Sequence, residues 1–141
     1  MKFPKLRLKS AKHSDLRSVK RLFSGINKKI KHEQIAEMIE KRKVYVLKDR
    51  KRKVKAAFAY SIFTIAGYFT FVYISKLAVD PNMQGQGIGT FLISQIRAKS
   101  LRIGATAFFL FSVKKAHMFY KKNKMNGFWR IFWWRSEALS S

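Results

Sequence analysis

The sequence of 141 residues contains no cysteine. That absence excludes a disulfide framework, a thiolate metal site and a cysteine nucleophile. Acidic side chains are also scarce, 7 Asp plus Glu against 31 Lys plus Arg. With only 3 His alongside them, no dense His or carboxylate metal cluster is expected. Hydrolysis by paired carboxylates would draw on nearly every acid in the chain, so it is set aside. Proline occurs 2 times and glycine 7 times, too seldom for a low-complexity or collagen-like chain. Met1 to Lys12 alternates basic and apolar residues without a long apolar stretch, so it does not read as a secretory signal. A cytoplasmic location is expected.

What is present points to a folded core. Hydrophobic residues make up 48% of the chain and aromatic residues 15%, with 13 Phe. A single domain over residues 1–141 is the expectation at this length. The formal net charge of +24 creates a positive potential that attracts polyanions and repels cations. Nucleic acid, ribosomes, acidic proteins, an anionic membrane or a phosphorylated cofactor all fit that field. The densest basic run is Lys48, Arg50, Lys51, Arg52, Lys53 and Lys55. For any one lysine, a solvated surface position is explanation enough.

Ala56 to Ser75 carries no charge and is long enough to span a bilayer. It has no Leu, however, and is rich in Phe, Tyr, Ile, Val and Thr, which suit pleated sheets. Gly67 and Tyr68 interrupt it as a turn would. The segment reads as a buried hairpin of Val54 to Ile65 and Phe69 to Val79, with a membrane span as the lesser alternative. The second strand is apolar on both faces, as a central strand covered on both sides would be.

Elsewhere the spacing is informative. Leu6 to Lys9 reads as a first strand. Ser14 or Asp15 can cap a helix whose apolar positions are Leu16, Val19, Leu22 or Phe23, and Ile26. A second helix from Glu33 to about Lys41 buries Ile35, Met38 and Ile39, and Val44 to Leu47 is a strand. Lys48 to Lys53 is a solvated turn. Ile88, Phe91, Leu92 and Ile96 have helical spacing, and Gly104 closes that helix. Ala105 to Phe111 is a strand parallel to its predecessor, because a helix connects them. A helix from Lys114 to about Lys122 and an aromatic strand from Phe128 to Trp134 complete the chain. The order is β-α-α-β-β-β-α-β-α-β, an α/β or α+β fold with a mixed sheet.

The segment that carries chemistry is Leu77-Ala78-Val79-Asp80-Pro81-Asn82-Met83-Gln84-Gly85-Gln86-Gly87-Ile88-Gly89-Thr90. A buried strand stops at Asp80 and Pro81, a glycine-rich loop turns, and an amphipathic helix begins. The first turn of a helix leaves N–H groups without intrahelical partners, and its dipole favours anions. Gly85, Gly87 and Gly89 remove side chains that would hold a phosphate away from those donors. A phosphate or diphosphate at the helix start is the predicted ligand. No Gly-Lys-Ser/Thr follows, so this is not a P-loop. The glycine spacing, the place in the second half of the chain and the lack of an acid ~20 residues onward also argue against a dinucleotide-binding unit.

Gln84-Gly85-Gln86-Gly87-Ile88-Gly89 resembles the Gln/Arg-x-x-Gly-x-Gly/Ala signature of the GNAT superfamily of acetyl-CoA-dependent N-acetyltransferases. Arg7, Ala11 and Asp15 resemble its first strand and helix, and Val79-Asp80-Pro81 resembles the end of its fourth strand. Ala116, Phe119 and Tyr120, followed by Gly127-Phe128, resemble its Ala-x-x-x-Tyr and Gly-Phe elements. The likeness covers roughly residues 6–134. Three extra residues within Lys121 to Asn126 separate Tyr120 from Gly127 relative to the common spacing. An Asn common near the start of the family's fourth helix is replaced by Val113 or its neighbours.

The resemblance implies a GNAT-like, mostly antiparallel sheet whose fourth and fifth strands are parallel and splayed. It implies that acetyl-CoA binds there as cosubstrate, with no metal. Backbone groups of Leu77, Ala78 and Val79 would pair with the pantetheine arm, and Val79 would supply an oxyanion contact. N–H groups from Gln84, Gly85, Gln86, Gly87, Ile88 and Gly89, with Thr90, would hold the diphosphate. An amine would attack the thioester directly, and Tyr120 would act as general acid for the leaving thiolate. Taken alone, Tyr120 is a core aromatic at helical spacing.

The attacking amine must also be neutral. Phe69 to Val79 offers no carboxylate, only Tyr73 and Ser75. Glu33 or Glu37 could serve through water, although each also fits a solvated helix face; His32 and His117 read as surface residues. An α-amine (pKa about 7.7–8.0) needs less help than a lysine (about 10.4), which tilts the acceptor towards a protein N-terminus or small amine. The tail aromatics Trp129, Phe132, Trp133 and Trp134 read as a core strand or a dimer contact. The expected partners are acetyl-CoA and an amine acceptor on a protein, peptide or small molecule. The chain is a monomer or homodimer, and the +24 charge adds possible nucleic-acid or ribosome association. A basic nucleic-acid-binding module on the same fold is the alternative function.

Overall fold

A computed structural model describes residues 6–85, 87–111, 116–128 and 130–135. The strands are β1 (Arg7–Ser10), β2 (Val44–Lys48), β3 (Val54–Ile65), β4 (Phe69–Val79), β5 (Ala107–Phe111), β6 (Asn126–Phe128) and β7 (Ile131–Arg135). The helices are α1 (Leu16–Ser24), α2 (His32–Glu40), α3 (Ile88–Ile103) and α4 (His117–Lys122). Short 3-10 turns occupy His13–Asp15 and Pro81–Met83. The strands form one sheet in the order β1-β2-β3-β4-β5-β7-β6. β4 and β5 are parallel, whereas β1–β2, β2–β3, β5–β7 and β6–β7 are antiparallel. The mixed, GNAT-like fold expected from the sequence is therefore observed. Among the described residues, no helix is long and apolar enough to cross a membrane.

The chain divides into two compact units. The first comprises Met1–Tyr60 and Lys76–Leu92. Its core follows directly from the helical spacing. Val19 and Phe23 of α1 and Ile35 of α2 are fully buried, in one cluster with Val44 and Val46 of β2 and Ala57 and Ala59 of β3. Small residues on β3 allow two helices to lie close to the strand. Asp15 does not cap α1 through its side chain. Its carboxylate accepts the Lys12 N–H at 2.8 Å and pairs with the half-buried Lys48 ammonium at 2.9 Å. The acid that sequence proximity assigns to a helix start thus ties the α1 entry to β2.

The second unit comprises Ser61–Ser75 and Ile93–Ser141. Val72, Ile74, Phe108, Leu110 and Phe132 alternate into its core. Two expectations need correction here. The hairpin is not buried throughout, because Ile62, Phe63, Ile65, Tyr68 and Phe69 are exposed. The tail is not one strand but a β6–β7 hairpin, with β7 lying between β5 and β6. Gly127 makes that hairpin possible, since a Cβ there would lie 2.5 Å from the Phe132 ring. The expected helix from Lys114 is observed from His117, and residues 112–115, including Val113, lie outside the described residues.

Removing one partner of a buried ion pair leaves the other charge desolvated, a large effect. Asp15→Ala is expected to destabilise the fold by about 3 kcal/mol, measured by denaturant unfolding. Glu37→Ala breaks a solvent-exposed pair with Lys41 and is expected to leave the unfolding midpoint unchanged.

Candidate active site

β4 leaves the sheet at Asp80, and the local hydrogen bonds define how. The Asp80 N–H donates to the Lys55 carbonyl on β3 at 2.9 Å. The Asp80 carboxylate accepts the Asn82 N–H at 3.0 Å and lies 3.6 Å from the Arg21 guanidinium of α1. The Asp80 carbonyl accepts the Met83 N–H at 2.8 Å. An Asx turn and a 3-10 turn together reverse the chain, with Pro81 at a position where its missing N–H costs nothing.

The edges of β4 also matter. Thr70 presents its carbonyl to the Thr106 N–H, on the β5 side, whereas Asp80 bonds to β3. In an uninterrupted strand, residues an even number apart bond to the same neighbour. Thr70 and Asp80 bond to opposite neighbours, so the alternation breaks once between them, as at a bulge. The parallel register with β5 runs from Phe71↔Ala107 to Ile74↔Leu110, while β4 itself continues to Val79. By alternation from Asp80, Val79 turns its backbone away from β3. Its carbonyl accepts the Gln84 side-chain amide at 3.3 Å. Leu77 and Val79 are half-buried and Ala78 is buried.

The loop after Gln84 uses backbone that only glycine adopts without strain. Gly85 has φ +82° and Gly87 φ +84°. Gln84, Gly85, Gly87 and Thr90 are exposed, Gly89 is half-buried, and Ile88 is buried beneath the helix start. Gln86 lies outside the described residues. The first bond of α3 joins the Phe91 N–H to the Gly87 carbonyl at 3.0 Å. The N–H groups of Ile88, Gly89 and Thr90 therefore belong to the turn that has no intrahelical acceptors. No acidic residue lies in that turn, so nothing offsets the positive end of the helix dipole. The residues the sequence assigns to the pantetheine arm, Leu77 to Val79, thus end β4, and those it assigns to the diphosphate, Gln86 aside, lie in the turn and the helix start, all in the first unit.

Tyr120 belongs to the second unit, on α4. It is buried, with its ring 5.3 Å from that of Phe132 and 5.1 Å from that of Phe119. Burial pushes its phenol up to about 12. The three extra residues after α4 close the helix: Lys124 adopts φ 60°, its N–H donates to Lys121 O at 3.0 Å, and the Met125 N–H donates to Tyr120 O at 3.2 Å. This is a Schellman closure, here with lysine at the left-handed position.

The candidate bases are less well placed. Glu37 is exposed and paired with Lys41 at 2.7 Å, and its carboxyl lies below its ordinary value because of that hydrogen bond. Glu33 and His32 are exposed, Tyr73 packs against Phe109 and Phe111, and the His117 side chain lies outside the described residues. Among the described residues, no group of three or more His, Cys, Asp or Glu could hold a metal ion. Sequence reasoning passed over Arg97 and Asn123, which hold the end of α4. The only signal for them was the lengthened spacing after Tyr120.

The profile of the acetyltransferase (GNAT) domain matches residues 40–124. None of the curated proteins matches the chain in sequence. Solved structures with the same fold include Ard1 from Thermoplasma volcanium, 15% identical with a TM-score of 0.79, covering 93% of this chain and 97% of that one. They also include a mutant of the AtaT toxin bound to the C-terminus of the antitoxin AtaR and acetyl-CoA, 21% identical, with a TM-score of 0.69 and 96% of each chain covered. The NatC complex bound to a Gag peptide and CoA is similar as well, at 15% identity and TM-score 0.74, covering 92% and 96%. A strand that ends in a glycine loop and a bare helix start, set in this sheet order and matched by the family profile across its centre, places the chain in the acetyltransferase (GNAT) domain family.

Proposed function

We propose that this acyltransferase moves the acetyl group of acetyl-CoA to a primary amine on a protein N-terminus, a lysine or a small molecule, in the cytoplasm. The observation that carries the reading is the glycine loop at the start of α3. Its left-handed Gly85 and Gly87 bring backbone donors to a surface with no acidic neighbour in the helix's first turn. A diphosphate suits those donors, and the +24 charge steers a polyanionic cosubstrate towards them. The fold neighbours bound to acetyl-CoA or CoA support the same reading, and the one that also holds a peptide supports a peptide acceptor.

In this reading, Gln84 to Thr90 hold the diphosphate, and the backbone of Leu77 to Val79 aligns the pantetheine arm. The Val79 N–H faces the thioester oxygen as charge develops there. With the Val79 carbonyl already engaged by Gln84, the arm draws its other backbone partners on that edge from Leu77, whereas the Ala78 backbone, by the same alternation, turns towards β3 and contributes through its small side chain. The amine nitrogen bonds to the carbonyl carbon, the C–S bond breaks, the nitrogen loses a proton and the sulfur gains one. Tyr120 serves as the general acid. A phenol near 12 is neutral across the working range, so its proton is always in place. An ordinary thiol ionises near ~8.5, so full transfer to the thiolate runs uphill. The phenol contributes most as a hydrogen-bond donor while the sulfur departs. No strand carboxylate takes the amine's proton, which favours acceptors already partly neutral near pH 7.

A second reading, a basic nucleic-acid-binding module, is favoured by where the charges lie. After Asp80 the only acidic residue is Glu137, against basic residues from Arg97 to Arg135. It predicts RNA affinity falling steeply with salt.

Titration calorimetry with acetyl-CoA tests the principal reading; no binding at millimolar cosubstrate sinks it. Gly85→Ala meets no atom within 4 Å but must hold a left-handed backbone costing about 1–2 kcal/mol. It is expected to weaken acetyl-CoA binding about tenfold, with a smaller effect on acetyl-pantetheine, which lacks the diphosphate. Tyr120→Phe is expected to lower kcat about a hundredfold with acetyl-CoA affinity retained. Because the raised phenol stays neutral, kcat/KM should climb with pH as the acceptor amine loses its proton. A descending limb near the ordinary phenol value of about 10 would contradict the assignment.

A further inference from the structure

We infer that Arg97 of α3 and Asn123 at the end of α4 are positioning residues that set the place of the Tyr120 hydroxyl; the inference rests on the reading of Tyr120 as the acid. All of these residues lie in the second unit. α4 runs only from His117 to Lys122, too short to be stable on propensity alone. Its last carbonyls must find partners, and Asn123 supplies most of them. The Asn123 N–H is shared between the carbonyls of Phe119 at 3.2 Å and Tyr120 at 3.1 Å. Its side-chain amide donates to the Phe119 carbonyl at 2.9 Å. Asn123 is itself buried, and its own carbonyl accepts a hydrogen bond from the Arg97 guanidinium.

Arg97 is held in turn by the Trp134 ring on β7, whose centroid lies 6.0 Å from the guanidinium carbon. The result is one connected path: the Trp134 ring, the Arg97 guanidinium, the Asn123 carbonyl, and the turn that carries Phe119 and Tyr120. The arrangement is not what stability alone would select. Among the described residues, the buried Arg97 Nε has no hydrogen-bond partner, and the sole acidic residue in the sequence beyond Asp80 is Glu137. A buried donor without a partner is costly, so the guanidinium's place needs a specific reason. The reason is the lengthened connection after Tyr120. Three extra residues slacken the link between α4 and β6, and the Arg97–Asn123 bond restores a fixed geometry. An acid displaced by about 1 Å loses much of its effect on the rate.

The experiment uses the full-length enzyme, thiol release from acetyl-CoA with a panel of peptide and small-amine acceptors, and a double-mutant cycle. Arg97→Met keeps the stem and removes the donor; Arg97→Lys keeps a cationic donor. The expected result is a kcat loss of about tenfold or more for Arg97→Met, acetyl-CoA affinity within about twofold, and recovery of most of the loss by Arg97→Lys. In a Tyr120→Phe background, Arg97→Met should cause no further loss, because the group it positions is already gone. Asn123→Ala keeps the main-chain carbonyl that Arg97 grips but removes the amide bond to the Phe119 carbonyl; it should also lower kcat, with no further loss in the Tyr120→Phe background, and serves as the test if Arg97→Met does not fold. An equal kcat loss in both backgrounds, or no loss at all, overturns the positioning role while leaving acetyl transfer intact. If Tyr120→Phe itself keeps full kcat, the acid assignment fails and the inference with it.

Discussion

Amides that a helix cannot satisfy by itself are the constraint on which this site depends. α3 begins after the turn and glycine loop that follow β4, and its first bond is made at Phe91. The preceding N–H groups must then bond to water or to a ligand. Two left-handed glycines turn the chain into the helix through an exposed loop, with Gly85, Gly87 and Thr90 at the surface. Asp80 could have neutralised them, being the nearest acid in sequence. Instead its carboxylate is committed to the Asn82 N–H and the Arg21 guanidinium. The negative charge closest to the loop is thus spent on the turn before it, and the helix start stays positive.

The same economy of acids runs through the molecule. Asp15 is taken by Lys48, Asp49 lies near Lys55, and Glu37 holds Lys41. None of these is left as a free base beside β4. A transferase without a carboxylate base can still work if the amine arrives partly neutral. The net charge of +24 acts in that direction as well, since a positive field disfavours the ammonium form of a bound amine. For the proposed amine acceptor, the charge that attracts the cosubstrate would also favour the neutral nucleophile.

Local chemistry was legible in the sequence and distant pairing was not. Val19, Phe23 and Ile35 announce buried helix faces by their spacing, whereas glycine at 85 and 87 permits their positive φ without dictating it. Composition misled where burial was inferred from apolarity. Ile62, Ile65 and Tyr68 sit in an uncharged run yet are exposed, because a strand can be apolar without being covered. The aromatic tail gave no sign of a turn near Arg130, and no local signal places β7 between β5 and β6. Within the site, the reach of Gln84 to Val79 and the clasp of Asn123 by Arg97 depend on tertiary geometry.

The spacing after Tyr120 shows how such a gap can be turned to use. Read as sequence, the extra residues put the placement of Tyr120, the proposed acid, in question. In the structure they form a closed helix end with a left-handed Lys124 and a buried Met125. Lysine at that position carries strain that glycine would not. Strain of this kind persists only where the surroundings fix the chain. Here they do: Met125 and Asn123 both bond back to the Tyr120 carbonyl, and Arg97 holds Asn123 from outside. A connection that looks loose in sequence is determined several times over in space, and Tyr120 just before it is held through its own carbonyl.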